Sequence, residues 1–206
     1  MAGVRPQELI TRLLQKVVDA EVATESCPQW LLRPGKAECA GAWSAISRIY
    51  AALTDLELPE LSPPRERRRL DVVLAYADGS HQVLEVDERQ HFTTARAISL
   101  AHYPETTPLG YNRKAWAGRC QALAGREPGG KFAAACPPLF PGGGGRHRQR
   151  AFRDALADLL PPEHGWHPTV RISDSEATGV AYGGDPAGGL RTLLADRGVP
   201  TAALAG

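Results

Sequence analysis

Apolar residues recur at helical spacing near the start of the chain. Leu9, Ile10, Leu13, Leu14, Val17 and Val18 share one face behind Pro6, a residue suited to a first helical turn. Residues 26–36 carry two prolines and a glycine and read as a loop. The helical period resumes from Ala37 to Leu53, with Trp43, Ile46, Tyr50 and Leu53 as the inward stripe of a second helix. Pro59, Pro63 and Pro64 mark another loop. The pattern then changes: Arg69 to Ala77 and Gln82 to Val86 are Val- and Leu-rich runs divided by Asp78-Gly79-Ser80, which predicts a β-hairpin. Thr93 or Thr94 caps a helix that ends before Pro104, and a further helix is expected over Lys114 to Ala124. Residues 125–145, dense in Gly and Pro, read as a long surface loop. From Arg148 to Leu160, with Phe152, Ala155, Leu156, Leu159 and Leu160 inward, a long helix is predicted, stopped by Pro161-Pro162. Thr169 to Ile172 reads as a strand. Beyond Asp174 the sequence is rich in Gly and Ala, with one short helical stretch near Leu190 to Asp196, and predicts a loosely held tail.

These elements define an α/β protein with a central mixed β-sheet flanked by helices. A single domain is expected over residues 1–175, with a helical part over 1–58 and the tail over 176–206. At 206 residues, 43% hydrophobic and 23% charged, the composition is that of a globular chain able to bury a real core. The formal charge of +1 gives no global field toward polyanions, so any basic surface must be local. Of 24 basic side chains only four are Lys. Arg suits bidentate pairing with phosphate, although the abundance of Ala, Gly, Pro and Arg together also reflects coding bias. Cys27, Cys39, Cys120 and Cys136 form no C-x-x-C pair and no finger spacing with His, which argues against structural zinc. No signal peptide opens the chain and no apolar run approaches the ~20 residues needed to span a bilayer. A cytoplasmic protein with free thiols and no membrane partner is therefore expected.

The chemistry concentrates on the hairpin. Strand side chains alternate, so Glu85 and Asp87 share one face and Leu84 and Val86 the other. The place of Asp71 depends on register. A two-residue Asp78-Gly79 turn pairs Asp71 with Val86 and turns it to the wrong face. A three-residue Asp78-Gly79-Ser80 loop, with Gly79 left-handed, pairs Asp71 with Asp87 and Val73 with Glu85; this is the expected register. Asp71, Glu85 and Asp87 so placed amid Val and Leu require a cation or raised pKa values. Mg²⁺ (or Mn²⁺) fits, since it takes oxygen ligands and often one or two carboxylates plus a phosphate oxygen. A hairpin whose acids merely face solvent is the alternative, and Glu88 is assigned to it.

Asp71, a turn, then Glu85-Val86-Asp87 resembles the PD-(D/E)XK nuclease superfamily over roughly residues 37–175. The run Glu85-Val86-Asp87-Glu88-Arg89-Gln90-His91-Phe92 is most similar to very-short-patch-repair-like small endonucleases. The resemblance implies a restriction-endonuclease-like core, with Asp71 and Glu85 as metal-binding carboxylates. Asp87 stands where that superfamily usually has Lys, which leaves Gln90, His91 or Arg89 to position or activate water. His91 is suited to proton transfer near neutral pH, or else packs beside Phe92. The superfamily often adds a Glu from the preceding helix; Glu38 is the candidate, although a Glu in a first helical turn also serves the helix dipole.

The segment Pro141-Gly142-Gly143-Gly144-Gly145 leads into the late helix, where a glycine-rich approach can bind an anion through backbone N–H groups. Arg146, Arg148, Arg150 and Arg153 add phosphate contacts or form a solvated basic face. Without Lys and Ser/Thr this is no Walker A loop. Arg67, Arg68 and Arg69 form a second basic bank, or protect an edge strand. The expectation is thus a Mg²⁺-dependent endonuclease hydrolysing DNA in restriction, repair or defence, as a homodimer if both strands are cut. The alternative is a catalytically inactive nuclease-like module binding nucleic acid or a protein partner, which the missing Lys favours.

Overall fold

The computed structural model describes residues 6–63 and 68–202; Pro64 and Arg67 lie outside them. Helix α1 (Pro6–Val17) forms as the apolar spacing predicts and buries Ile10, Leu14 and Val17. Strand β1 (Glu21–Ser26) follows at once. It was not predicted because its side chains are largely exposed, so no alternation of apolar and polar residues marks it. Two short helical turns, α2 (Gln29–Leu32) and α3 (Lys36–Cys39), occupy the proline-containing stretch. The helix expected over 37–53 is broken at Ala40, whose φ is 45°. A 3₁₀ turn spans Ala40–Ala42 before α4 (Trp43–Thr54), which buries Ile46, Tyr50 and Leu53.

The remaining elements are β2 (Leu70–Ala75), β3 (His81–Asp87), α5 (Thr94–Ala101), α6 (Arg113–Leu123), α7 (Gly145–Glu163), β4 (His167–Ser173), α8 (Asp174–Ala181) and α9 (Pro186–Ala195). Thr93 caps α5, its hydroxyl accepting the Arg96 N–H. The four strands lie in the order β1-β2-β3-β4; β1, β2 and β3 pair antiparallel and β3 pairs parallel with β4. The protein is therefore α/β, with a mixed sheet flanked by helices. One face carries Val72, Leu74, Leu84, Val86, Val170 and Ile172 against α1, α8 and α9. The other carries Val73 and Val83 against α4 to α7, and on this face alternation also places Asp71, Glu85, Asp87 and Arg171.

The hairpin register corrects the expected one. Val72 pairs with Leu84 and Ala75 with His81. Extended by one residue, that register sets Asp71 opposite Glu85, not Asp87. The loop has the expected three residues, but they are Ala77, Asp78 and Gly79, closed by Tyr76 N–H to Ser80 O at 2.9 Å and Gly79 N–H to Tyr76 O at 3.0 Å. The physical reason is the turn itself. A type I turn followed by a left-handed residue puts that residue last, and Gly79, with φ 84°, takes this third position. Moving the loop by one position shifts the pairing by two residues, so Asp71 keeps the face it shares with Glu85.

Three further expectations change. Helix α7 runs through Pro161 and Pro162 to Glu163. The Ala157 carbonyl, which Pro161 cannot bond, accepts the Thr169 hydroxyl at 2.5 Å. The loop over 125–145 is not all surface: Cys136 and Phe140 bridge, and Leu139 and Phe140 are buried. Residues 176–202 are not a loose tail, since Ala177, Val180, Leu190, Leu194 and Val199 are buried beneath the sheet. Among the described residues no helix is long and apolar enough to cross a membrane.

Candidate functional site

The carboxylate face of the hairpin opens into a cleft of about 400 Å³ between the first residues of β2 and the first half of α7. Asp71, His91 and Asp154 line it, with Arg68, Arg69, Arg146, Arg150 and Arg153 around them. The α7 contribution follows helical phase. Arg146, Gln149, Arg150, Arg153 and Asp154 fall at i, i+3, i+4, i+7 and i+8 and so share one face. Arg148 is out of phase; its guanidinium folds back to the Pro141 carbonyl at 2.9 Å, outside the cleft. The glycine approach does not act through its backbone either. The N–H groups of Gly144, Gly145 and Arg146 are taken by the carbonyls of Ala133, Gly142 and Ala134. The positive charge at the cleft is that of the arginine side chains.

Where the strands diverge, beyond Val72 and Leu84, side chains replace the ladder. Asp71 Oδ2 accepts the Val86 N–H at 3.0 Å, and Glu85 Oε1 accepts the Asp71 N–H at 3.2 Å. The other Glu85 oxygen meets the Arg68 guanidinium. Burial raises the Asp71 carboxyl above its usual range, with the Val86 N–H and Arg68 pulling back. Burial also pushes Glu85 up to about 7, against the pull of Arg68.

A carboxyl whose folded pKa lies above its unfolded value holds its proton more tightly when folded. Its stabilising effect is complete below the unfolded value of 4.5 and is lost as pH rises through about 7. At about 1.4 kcal/mol per pH unit, Glu85 removes stability on the order of 3 kcal/mol between acid and mildly alkaline pH. Glu85→Gln, neutral throughout, is expected to match the wild type in urea unfolding at pH 4.5 and to exceed it at pH 8. A stability difference that does not change with pH would show that Glu85 is ionised in both states.

Asp87 has a different environment from the one expected. Its Oδ1 accepts Arg171 Nη1 at 2.6 Å and its Oδ2 accepts Trp116 Nε1 at 2.7 Å. Asp87, His91 and Asp154 do converge, with one ligand atom from each within 4.8 Å of the others, but Arg171 already stands among them as a cation. His91 Nδ1 lies 3.1 Å from Asp154 Oδ2 and 3.5 Å from Asp87 Oδ1. Behind them Asp158 accepts bonds from Arg96, Tyr103 and Tyr111 at 2.7 Å and from Arg171 Nε at 2.8 Å. Three buried carboxylates, Asp87, Asp154 and Asp158, thus face two buried guanidiniums, Arg96 and Arg171. His91 stands between Asp87 and Asp154, where a protonated ring balances the excess carboxylate. Burial opposes charge on His91, but Asp154 and Asp87 overcome it and raise its pKa. Burial likewise opposes charge on Asp154 and Asp158, and their cationic neighbours hold both below the usual carboxylate range.

Two predicted residues lie elsewhere. Gln90 bonds Glu88 at 2.6 Å, while its backbone carbonyl holds Arg150 at 3.1 Å, so it supports the cleft without lining it. The Glu38 carboxylate caps the Gly35 N–H at 3.0 Å, and it is not among the cleft residues. From the sequence Asp154 is only a possible counter-charge to the basic start of α7, and Asp158, Arg96 and Arg171 carry no site signal. The available signal was a charge at a core phase: Asp154 and Asp158 recur at i, i+4 in an apolar helix, and Arg171 sits between Val170 and Ile172.

Asp71 and Glu85 suit a hard divalent cation. Both are oxygen donors on adjacent strands, Asp71 lining the cleft and Glu85 buried behind it in an ion pair with Arg68, and two carboxylates with a substrate phosphate make a usual Mg²⁺ set. Asp154 Oδ1, buried without a hydrogen-bond partner, adds a third acceptor at the cleft. Asp87, held by Arg171 and Trp116, converges with His91 and Asp154 as a second set of possible ligand atoms. In comparisons with protein-family models, curated proteins and solved structures, nothing matches this chain.

Proposed function

We propose that the cleft hydrolyses phosphodiester bonds in DNA with a divalent ion held by Asp71 and Glu85. The observation that supports this reading is the arrangement of arginines round Asp71 and Asp154: cationic walls attract a polyanion, while Asp71, with Glu85 buried behind it, would repel it unless a cation stood between. A bound Mg²⁺ or Mn²⁺ supplies charge neutralisation at the phosphate and acidifies a water. Arg146, Arg150 and Arg153 hold the sugar–phosphate backbone. Arg68, now paired with Glu85, turns to phosphate when Glu85 serves the ion. His91, fixed through Nδ1 by Asp154, presents its protonated Nε2 edge to hand a proton to the leaving oxygen.

A second reading, a module that binds nucleic acid without cutting it, is favoured by one observation. Among these acids Glu85, Asp87, Asp154 and Asp158 already have cationic partners, and Asp87 stands at the position where the resembled superfamily usually has Lys. Calorimetry with Mn²⁺ on the wild type and Asp71→Asn, followed by incubation with supercoiled plasmid, separates the two. Hydrolysis requires that the wild type bind Mn²⁺ and relax the plasmid, that chelator stop it, and that Asp71→Asn do neither. Plasmid binding with no metal binding and no relaxation would leave the second reading.

A further inference from the structure

A second hollow, about 640 Å³, adjoins the basic cleft on the same sheet face. The strands run from one into the other: Glu25 and Asp71 line the cleft, while Ser26, Ala23, Val73 and Ala75 line this groove. Helices α4 and α7 cover the sheet over Val73 and Val83, and the small side chains of Ala23 and Ala75 leave the space beyond them open. The groove has no Arg or Lys in its lining, and its one carboxylate, Glu21, lies exposed on the edge strand. One side is a ledge of rings. Half-buried Trp166 stacks on His81 with centroids 4.8 Å apart and meets Trp30 edge-on at 5.2 Å. Trp30 in turn stacks on His164 at 4.8 Å, so rings from separate chain segments hold Trp166 in place.

We infer that this groove takes an unstacked base of single-stranded DNA whose backbone lies in the basic cleft. The inference rests on the nucleic-acid reading of that cleft and names its substrate. The argument is one of complementary chemistry along one track. Phosphates need the arginines and are repelled by a carboxylate such as Glu21, whereas a neutral base needs a flat aromatic partner and largely apolar walls. Asp71 and Ala75 are four residues apart, about 13 Å along the strand, which puts the ledge within a few nucleotides of the carboxylates. A duplex keeps its bases paired and stacked inside and cannot fill the groove; a single strand can.

The test uses the whole chain, a short fluorescein-labelled deoxy-oligonucleotide and its duplex, with chelator present so that nothing is cut. Trp166→Ala is expected to weaken single-strand binding about tenfold, and Trp166→Phe to restore most of it, since one base–aromatic stack is worth about that much. Ala23→Leu, at an exposed edge-strand position, fills the groove without touching the core and should cause a similar loss even if Trp166→Ala folds poorly. Duplex affinity should stay unchanged in all three. Single-strand binding at wild-type strength in both Trp166→Ala and Ala23→Leu overturns the inference. Arg146→Glu reads the cleft separately: if it weakens neither DNA form, the cleft reading fails on its own account.

Discussion

Arg171→Ala is expected to destabilise the protein by about 3–5 kcal/mol, the range for breaking a buried ion pair from one side. The side chain is fully buried, bonds Asp158 and Asp87 at 2.8 and 2.6 Å, and also holds the Asp154 backbone carbonyl at 3.1 Å. Without it Asp87 and Asp158 lose their shared guanidinium while almost fully buried, and Arg96 and His91 are left as the nearest cations of the cluster. For a chain of this size such a loss lowers the thermal midpoint by roughly 6–20 °C. Asp158→Asn in the same background should recover part of it, because it removes one of the uncompensated charges. Urea unfolding of the single and double variants measures both quantities. A loss below about 1 kcal/mol would mean that the cluster is hydrated and that Arg171 is not its centre.

The second large effect concerns turnover. On the hydrolytic reading, His91→Ala should reduce plasmid cleavage about 10²- to 10⁴-fold at saturating Mn²⁺, the usual range for a lost general acid. A change in pH dependence distinguishes proton transfer from mere packing. His91 acts in its protonated form, so cleavage falls as pH rises through its pKa. Asp154 raises that pKa, and Asp154→Asn should therefore move the alkaline fall to lower pH while leaving His91 in place. A cleavage profile with the same alkaline limb in Asp154→Asn and wild type would show that His91 does not carry the proton.

The sequence disclosed features that depend on neighbours in the chain and hid those that depend on distant ones. The hairpin, the Thr93 cap and the face shared by Asp71 and Glu85 follow from alternation and turn chemistry within a short span. The register slipped only because Gly79 was assigned to the middle of its loop. By contrast, the environment of Asp87 is made by Trp116 and Arg171, residues that β3 meets only through the whole fold. Helical phase would have separated Arg148 from Arg146, Arg150 and Arg153, had α7 been started at Gly145. Strand β1 gave no pattern because an exposed edge strand has no buried side to enforce one. The last two helices looked loose because Ala and Gly are frequent there, yet Leu190 and Leu194, one helical turn apart, suffice to dock α9.

The parallel pairing of β3 with β4 also bears on how the chain assembles. Strands β2 and β3 form a hairpin from adjacent segments, whereas β4 follows β3 in the chain only beyond α5, α6 and α7. Contacts closed over so long a loop form late. Since Arg171 travels on β4, an intermediate that has gathered Asp87 and α7 but not the final strand carries acidic groups with no guanidinium from β4 to meet them. Such a species must stay wet at that spot or keep the acids protonated, so refolding should quicken as pH is lowered toward the carboxylate range.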